Sequence, residues 1–231
     1  MRTRFVGALA AVLLLAVAGS ASAAPILSEH FNNIATLPGA GWAQINNSAP
    51  AGTTGWFQGN PGVFPAYDGA ADAYIAANFN NAAPGGNISN WLLTPTLSIS
   101  NGDTLSFFTR TVDPASFADR LEVRLSLNGA SAVVGATDSS VGDFSILLMS
   151  INPVLQADGY PSNWTRFSIG ISGLGAPATG RYAFRYFVPD TATNADYIGI
   201  DNVSVEPVPE PATLTLVGLG AVALGLRRRR R

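Results

Sequence analysis

Polar and apolar positions alternate in steps of two along most of the chain, and the middle shows almost no helical spacing. Leu121, Val123, Leu125 and Leu127 alternate with Glu122, Arg124, Ser126 and Asn128, and Asn128-Gly129 follows as a turn pair. Tyr182, Phe184, Tyr186 and Val188 alternate with Arg181, Ala183 and Arg185 until Pro189 stops the run. A further strand starts at Thr104, after the turn Asn101-Gly102-Asp103. Shorter strands are predicted at 74–79, 91–99, 144–151, 164–171 and 197–205. Residues 39–72, rich in Gly, Pro and Asn, read as long loops with one short strand near Trp56-Phe57. Many short strands between turn clusters predict an all-β, antiparallel β-sandwich of jelly-roll type.

One strand breaks its rhythm. Its apolar positions run 198, 200, then 203 and 205. A step of three flips the inward face unless the strand carries an extra residue, so a β-bulge is expected at Asp201-Asn202.

The ends differ from this body. Met1-Arg2-Thr3-Arg4 precedes an apolar run from Val6 to Ala18, and Ala21-Ser22-Ala23 supplies small residues at a cleavage site. This predicts a helical signal peptide over 1–23, cut by signal peptidase after Ala23. At the other end, Val208-Pro209-Glu210-Pro211 leads into an apolar run, 212–226, and five closing arginines. As a helix that run spans about 22 Å, against about 30 Å for a hydrocarbon core. It predicts a marginal membrane helix with the arginines on the cytoplasmic side. The expected organisation is 1–23 leader, 24–207 sandwich and 208–231 tail.

Charge then narrows the options. The chain has 13 basic residues, all arginine, and 15 acidic ones. Setting aside two arginines in the leader, five in the tail and Glu210 leaves six arginines and 14 acids, a body near −8. A body of that sign repels phosphate backbones, so nucleic acid is not an expected partner. With no cysteine, thiol catalysis and cysteine–metal sites are excluded. His30 is the only histidine, so any Ser-His-Asp triad must use it. It reads as a strand-edge residue, and no catalytic activity is expected. A glycan hydrolase needs only two suitably spaced carboxyls and stays open as an alternative.

The tail resembles the PEP-CTERM sorting signal, in its motif, its short apolar helix and its basic finish. The resemblance implies recognition by an exosortase and cleavage near Pro-Glu-Pro. It also implies transient inner-membrane anchoring through 212–226, then a place at the cell surface or in the extracellular polysaccharide matrix. The body is similar to choice-of-anchor J domains, relatives of the cleaved-adhesin and MAM jelly rolls. That similarity rests on ordered segments including Leu27-Ser28-Glu29-His30-Phe31, Asn90-Trp91-Leu92-Leu93-Thr94-Pro95 and Tyr197-Ile198-Gly199-Ile200-Asp201-Asn202-Val203. It implies a structural cation near the chain termini, with Glu29 and Asp201 at matching positions and Asp68 or Asp72 completing the shell. Calcium suits such oxygen ligands, although no D-x-D-x-D-G loop is present. Trp42 and Trp56, in loop-like stretches, are the expected aromatic faces if the body is instead a carbohydrate-binding or adhesion module.

Overall fold

A computed structural model describes residues 24–208. The leader with Ala21 and Ala23, the motif residues Pro209, Glu210 and Pro211, and the 212–226 run lie outside the described residues. Among the described residues no helix is long and apolar enough to cross a membrane.

The chain runs through β1 (Leu27–Glu29), β2 (Ala43–Asn46), β3 (Ala49–Ala51), β4 (Phe57–Gln58), β5 (Ile75–Asn78), β6 (Ala82–Leu93) and β7 (Leu97–Ile99). It continues through β8 (Thr104–Thr111), β9 (Leu121–Ser126), β10 (Ile146–Ile151), β11 (Thr165–Gly170), β12 (Ala178–Val188) and β13 (Tyr197–Glu206). One sheet has the order β11-β8-β13-β5-β4, with β1 also on β13. The other has β10-β9-β12-β6-β2, with β3 on β6 and β7 on β12. Each pairing is antiparallel. The protein is therefore an all-β sandwich.

Period-2 patterning sets the layers. Leu121, Val123 and Leu125 of β9, Tyr182, Phe184 and Tyr186 of β12, and Leu105 and Phe107 of β8 point into one core. Phe107 and Phe184 meet edge to face across the two sheets, with ring centroids 5.0 Å apart. The opposite face of the second sheet is covered by residues 127–145, which bring Val134 and Phe144 onto Trp91 and Ala183. Arg185 is buried there, its guanidinium over the Trp91 and Phe187 rings and paired to Glu122 at 3.2 Å.

Two segments differ from expectation. Residues 39–72 hold three short strands, β2, β3 and β4. The strand expected from Trp91 to Ile99 begins instead at Ala82 and breaks at Thr94-Pro95-Thr96, where proline cannot donate to a ladder. Partners supply what the 82–90 pattern lacks: β6 pairs with β12 on one side and with β2 and β3 on the other.

Both ends of the domain leave from one place. Leu27 lies opposite Val205, and Ile26 N–H donates to the Val205 carbonyl at 2.7 Å. Val208 packs over Gly102, where a Cβ would stand 2.2 Å from Val208 Cγ2. With φ of +89°, that turn requires glycine on backbone grounds as well.

Candidate functional site

The expected bulge is present. The β13–β8 register shifts between Asp201 and Ser204, and Asn202 takes a left-handed φ of 47°. Asn tolerates that region better than most residues. The extra residue turns the Asp201 carboxylate toward the loop ahead of β5. Asp201 is fully buried, and Oδ2 accepts N–H bonds from Tyr67 (3.0 Å) and Asp68 (3.2 Å). Its Oδ1 accepts from the Asn202 N–H at 2.7 Å. Burial pushes this carboxyl up to about 6, against the pull of the three N–H donors and His30.

A second anchor holds the same loop. Phe64 stacks on Tyr74 and meets Tyr197 and Trp164 edge to face. Trp164 Nε1 donates to the Pro65 carbonyl at 2.9 Å. Gly199 lies beneath this cluster; a Cβ would approach Trp164, Tyr74 and Phe64 at 2.9–3.0 Å. Held at both points, the loop stacks Tyr67 on Phe108, with centroids 3.6 Å apart and planes 17° apart. Tyr67 nevertheless keeps 47% of its surface in water.

Beside this stacked pair runs a groove of about 210 Å³ across β11, β8, β13 and β1. Directly paired residues share a face, and the register aligns four serines on it: Ser168 with Ser106, Ser106 with Ser204, and Ser204 with Ser28. Ser106 and Ser204 hydroxyls are 3.1 Å apart. Arg166 stands opposite Phe108 at one end, exposed, with Nη2 donating to Ser106 Oγ at 3.2 Å. It makes no ion pair among the described residues.

His30 closes the other end of the groove. Asn202 Oδ1 lies 2.7 Å from Nδ1, so Nδ1 carries the proton and Nε2 accepts from the Ser28 hydroxyl at 3.3 Å. Asp68 is 4.0 Å from Nδ1. This line resembles a nucleophile, base and orienter in outline. Its orienter is a neutral amide, and both the ring and the hydroxyl are open to solvent. The arrangement fixes the ring and presents hydrogen-bonding groups.

The other expected site residues fall differently. Glu29, on β1 opposite Val203, is half-buried, and its Oε1 accepts the Phe31 N–H at 2.7 Å. Asp72 is exposed, and its carbonyl accepts from Gln58 Nε2. Glu29, Asp72 and Asp201 do not converge: no group of three His, Asp or Glu side chains is placed to hold a metal among the described residues. Asp201 accepts three N–H donors in this arrangement.

Trp42 and Trp56 must be corrected as glycan platforms. They are 4% and 5% exposed and belong to the core. Trp42 meets Phe31 edge to face at 5.6 Å. Their loops fold down onto the sandwich, and a buried ring cannot stack on a sugar. The groove itself escaped sequence reasoning because its side chains lie far apart in the chain. The bulge was the one signal that pointed to it.

The C-terminal residues 207–231 match the PEP-CTERM protein-sorting motif. That match begins one residue after the end of β13. No curated protein matches the chain. Among solved structures, the K1 cleaved adhesin domain of Lys-gingipain from Porphyromonas gingivalis is similar at 24% identity and a TM-score of 0.51. The match covers 78% of this chain and 96% of that domain. The K3 cleaved adhesin domain of the same protein is similar at 23% identity and a TM-score of 0.53, covering 79% and 97%. These likenesses establish the sandwich fold.

Proposed function

We propose that this chain is an exported bacterial surface protein, sorted and cleaved at its C-terminus by an exosortase, whose body is a non-catalytic binding module for extracellular polysaccharide. The sorting motif at 207–231 carries the first part. Three further points support it. The motif begins in sequence where the last strand ends. The paired first and last strands leave both ends on one side of the domain. An address read at the membrane also explains an apolar run shorter than a comfortable span.

The second part rests on the groove. Its walls offer hydroxyls, an amide, an imidazole and a guanidinium beside an exposed ring. The residues that line it are Ser28, His30, Ser106, Phe108, Arg166, Asn202, Val203 and Ser204. Binding is the chemistry these groups support.

Fractionation tests the sorting half. Deleting 208–231 should move the protein from the surface-associated fraction to the soluble periplasm or medium. An unchanged distribution would mean the tail carries no address.

A further inference from the structure

We infer that the groove across β11, β8, β13 and β1 binds a carboxylate-bearing polysaccharide, with Arg166 pairing a uronate carboxylate and Tyr67 stacking on a neighbouring sugar ring. This rests on the reading of the body as a polysaccharide-binding module and names the ligand class of that same groove.

Arg166 gives the charge preference at the groove, where its local pairing has to outweigh the repulsion that a body near −8 exerts on any polyanion. Of the six arginines in the body, Arg124 and Arg185 pair with Glu122, while Arg110 and Arg120 lie over the Phe64 and Phe187 rings. Arg181 donates to Thr96 Oγ1. Arg166 is exposed, faces the groove and spends one N–H on the Ser106 hydroxyl. A guanidinium has five donors in a planar fork that suits a carboxylate, and most of them remain available here.

The floor gives the preference for sugar. Four serines lie in register on adjacent strands, Ser168, Ser106, Ser204 and Ser28; the last three line the groove, Ser106 as a buried member. At a strand spacing of about 4.8 Å they span about 14 Å. Each hydroxyl both donates and accepts, as sugar hydroxyls do, so such a row can follow a polyhydroxylated chain. Asn202 and His30 continue it at the β1 edge.

The wall gives a stacking surface. Tyr67 lies flat on Phe108 and is pinned by the Asp201 carboxylate and the Phe64 cluster, so its ring is ordered before any ligand arrives. A rigid exposed ring loses little entropy on binding. An acidic peptide would use Arg166 but leave the hydroxyl row and the ring without matched partners.

The test uses the full chain in mild detergent with four probes: polygalacturonate, its fully methyl-esterified form, dextran and poly-L-glutamate. Affinity is read by isothermal titration in low salt. Polygalacturonate should bind at least tenfold more tightly than each of the other three. R166Q should lose about tenfold for polygalacturonate alone, with R166K recovering part of it. Y67A should lose at least fivefold, and neither Arg166 substitution should change the melting temperature. Equal binding of the esterified polymer, or an R166Q variant of unchanged affinity, overturns the acidic-ligand assignment while leaving a neutral-glycan module standing. Equal binding of poly-L-glutamate overturns the sugar assignment. No binding of any probe overturns both the assignment and the polysaccharide module.

Discussion

The carboxylate of Asp201 accepts the Tyr67 N–H at 3.0 Å across 134 positions of sequence. That bond joins the bulge of the last strand to the loop carrying the exposed face of the groove. The same carboxylate takes the Asp68 and Asn202 N–H groups. Asp201→Ala would leave three N–H donors without their acceptor. We expect a loss of about 2–4 kcal/mol in urea unfolding, since each buried donor left unmade costs about 1–3 kcal/mol and water recovers part of it. Asp201→Asn keeps one acceptor oxygen and should cost less. A variant with Ala at this position and wild-type stability would show that the loop is held elsewhere.

Acid should stabilise this domain before it harms it. Burial pushes Asp201 and Asp119 up to about 6, above the usual range near 4. Asp119 is pulled the other way by bonds from the Asp196 N–H and the Thr111 and Tyr186 hydroxyls, and burial outweighs them. Between about pH 4 and 6 the folded state therefore holds protons that the unfolded state has released. Stability then falls as pH rises through that window and levels off above it. Asp143, held down by Ser131 and Asn128, works in the opposite sense, but it is exposed and counts for less. The melting temperature should be higher at pH 5 than at pH 7.5, and Asp201→Asn should reduce the difference. A melting temperature that climbs steadily from pH 4.5 to 7.5 would contradict this.

Glu122 should matter more than its place on a strand suggests. It accepts from Arg124 at 2.8 Å and from Arg185 at 3.2 Å. The Arg185 side chain is 1% exposed, so removing its carboxylate leaves a buried cation. Burial already pulls Arg185 down to about 10. Breaking a buried pair costs about 3–5 kcal/mol, and Glu122→Ala should lie in that range by denaturant unfolding. A cost below about 1 kcal/mol would mean that water reaches Arg185 beneath the 127–145 cover.

Trp56→Ala should destabilise by about 3–5 kcal/mol, as for other large core truncations. Trp56→Phe should cost less and leave affinity for any glycan unchanged. Reduced glycan affinity in a Trp56→Phe variant of normal stability would return this residue to the surface role its loop suggested.

The sandwich was legible where apolar and polar residues alternate, even though residues 127–145 cover the polar face of β9 and β12 as well. The alternations at 121–127 and 182–188 became β9 and β12 because packing rewards period two there. The bulge was legible for the same reason, since a step of three between Ile200 and Val203 needs an extra residue. Residues 82–90 concealed a strand because Pro84, Gly85 and Gly86 carry no strand preference; the neighbours of β6 impose the conformation. Trp42 and Trp56 stayed open between core and surface because a loop-like sequence does not reveal which rings fold inward. The groove could not be read locally. Ser28, Ser106, Arg166 and Ser204 meet only through strand order, which no stretch of sequence encodes alone.

The most direct measurement is the mass of the mature polypeptide from cells with and without an exosortase. With the enzyme, the C-terminus should lie near Pro209-Glu210-Pro211, and the apolar run and its arginines should be gone. Without it, the mass should include residues through Arg231. Recovery of an intact, membrane-held tail from cells that possess the enzyme would contradict the account.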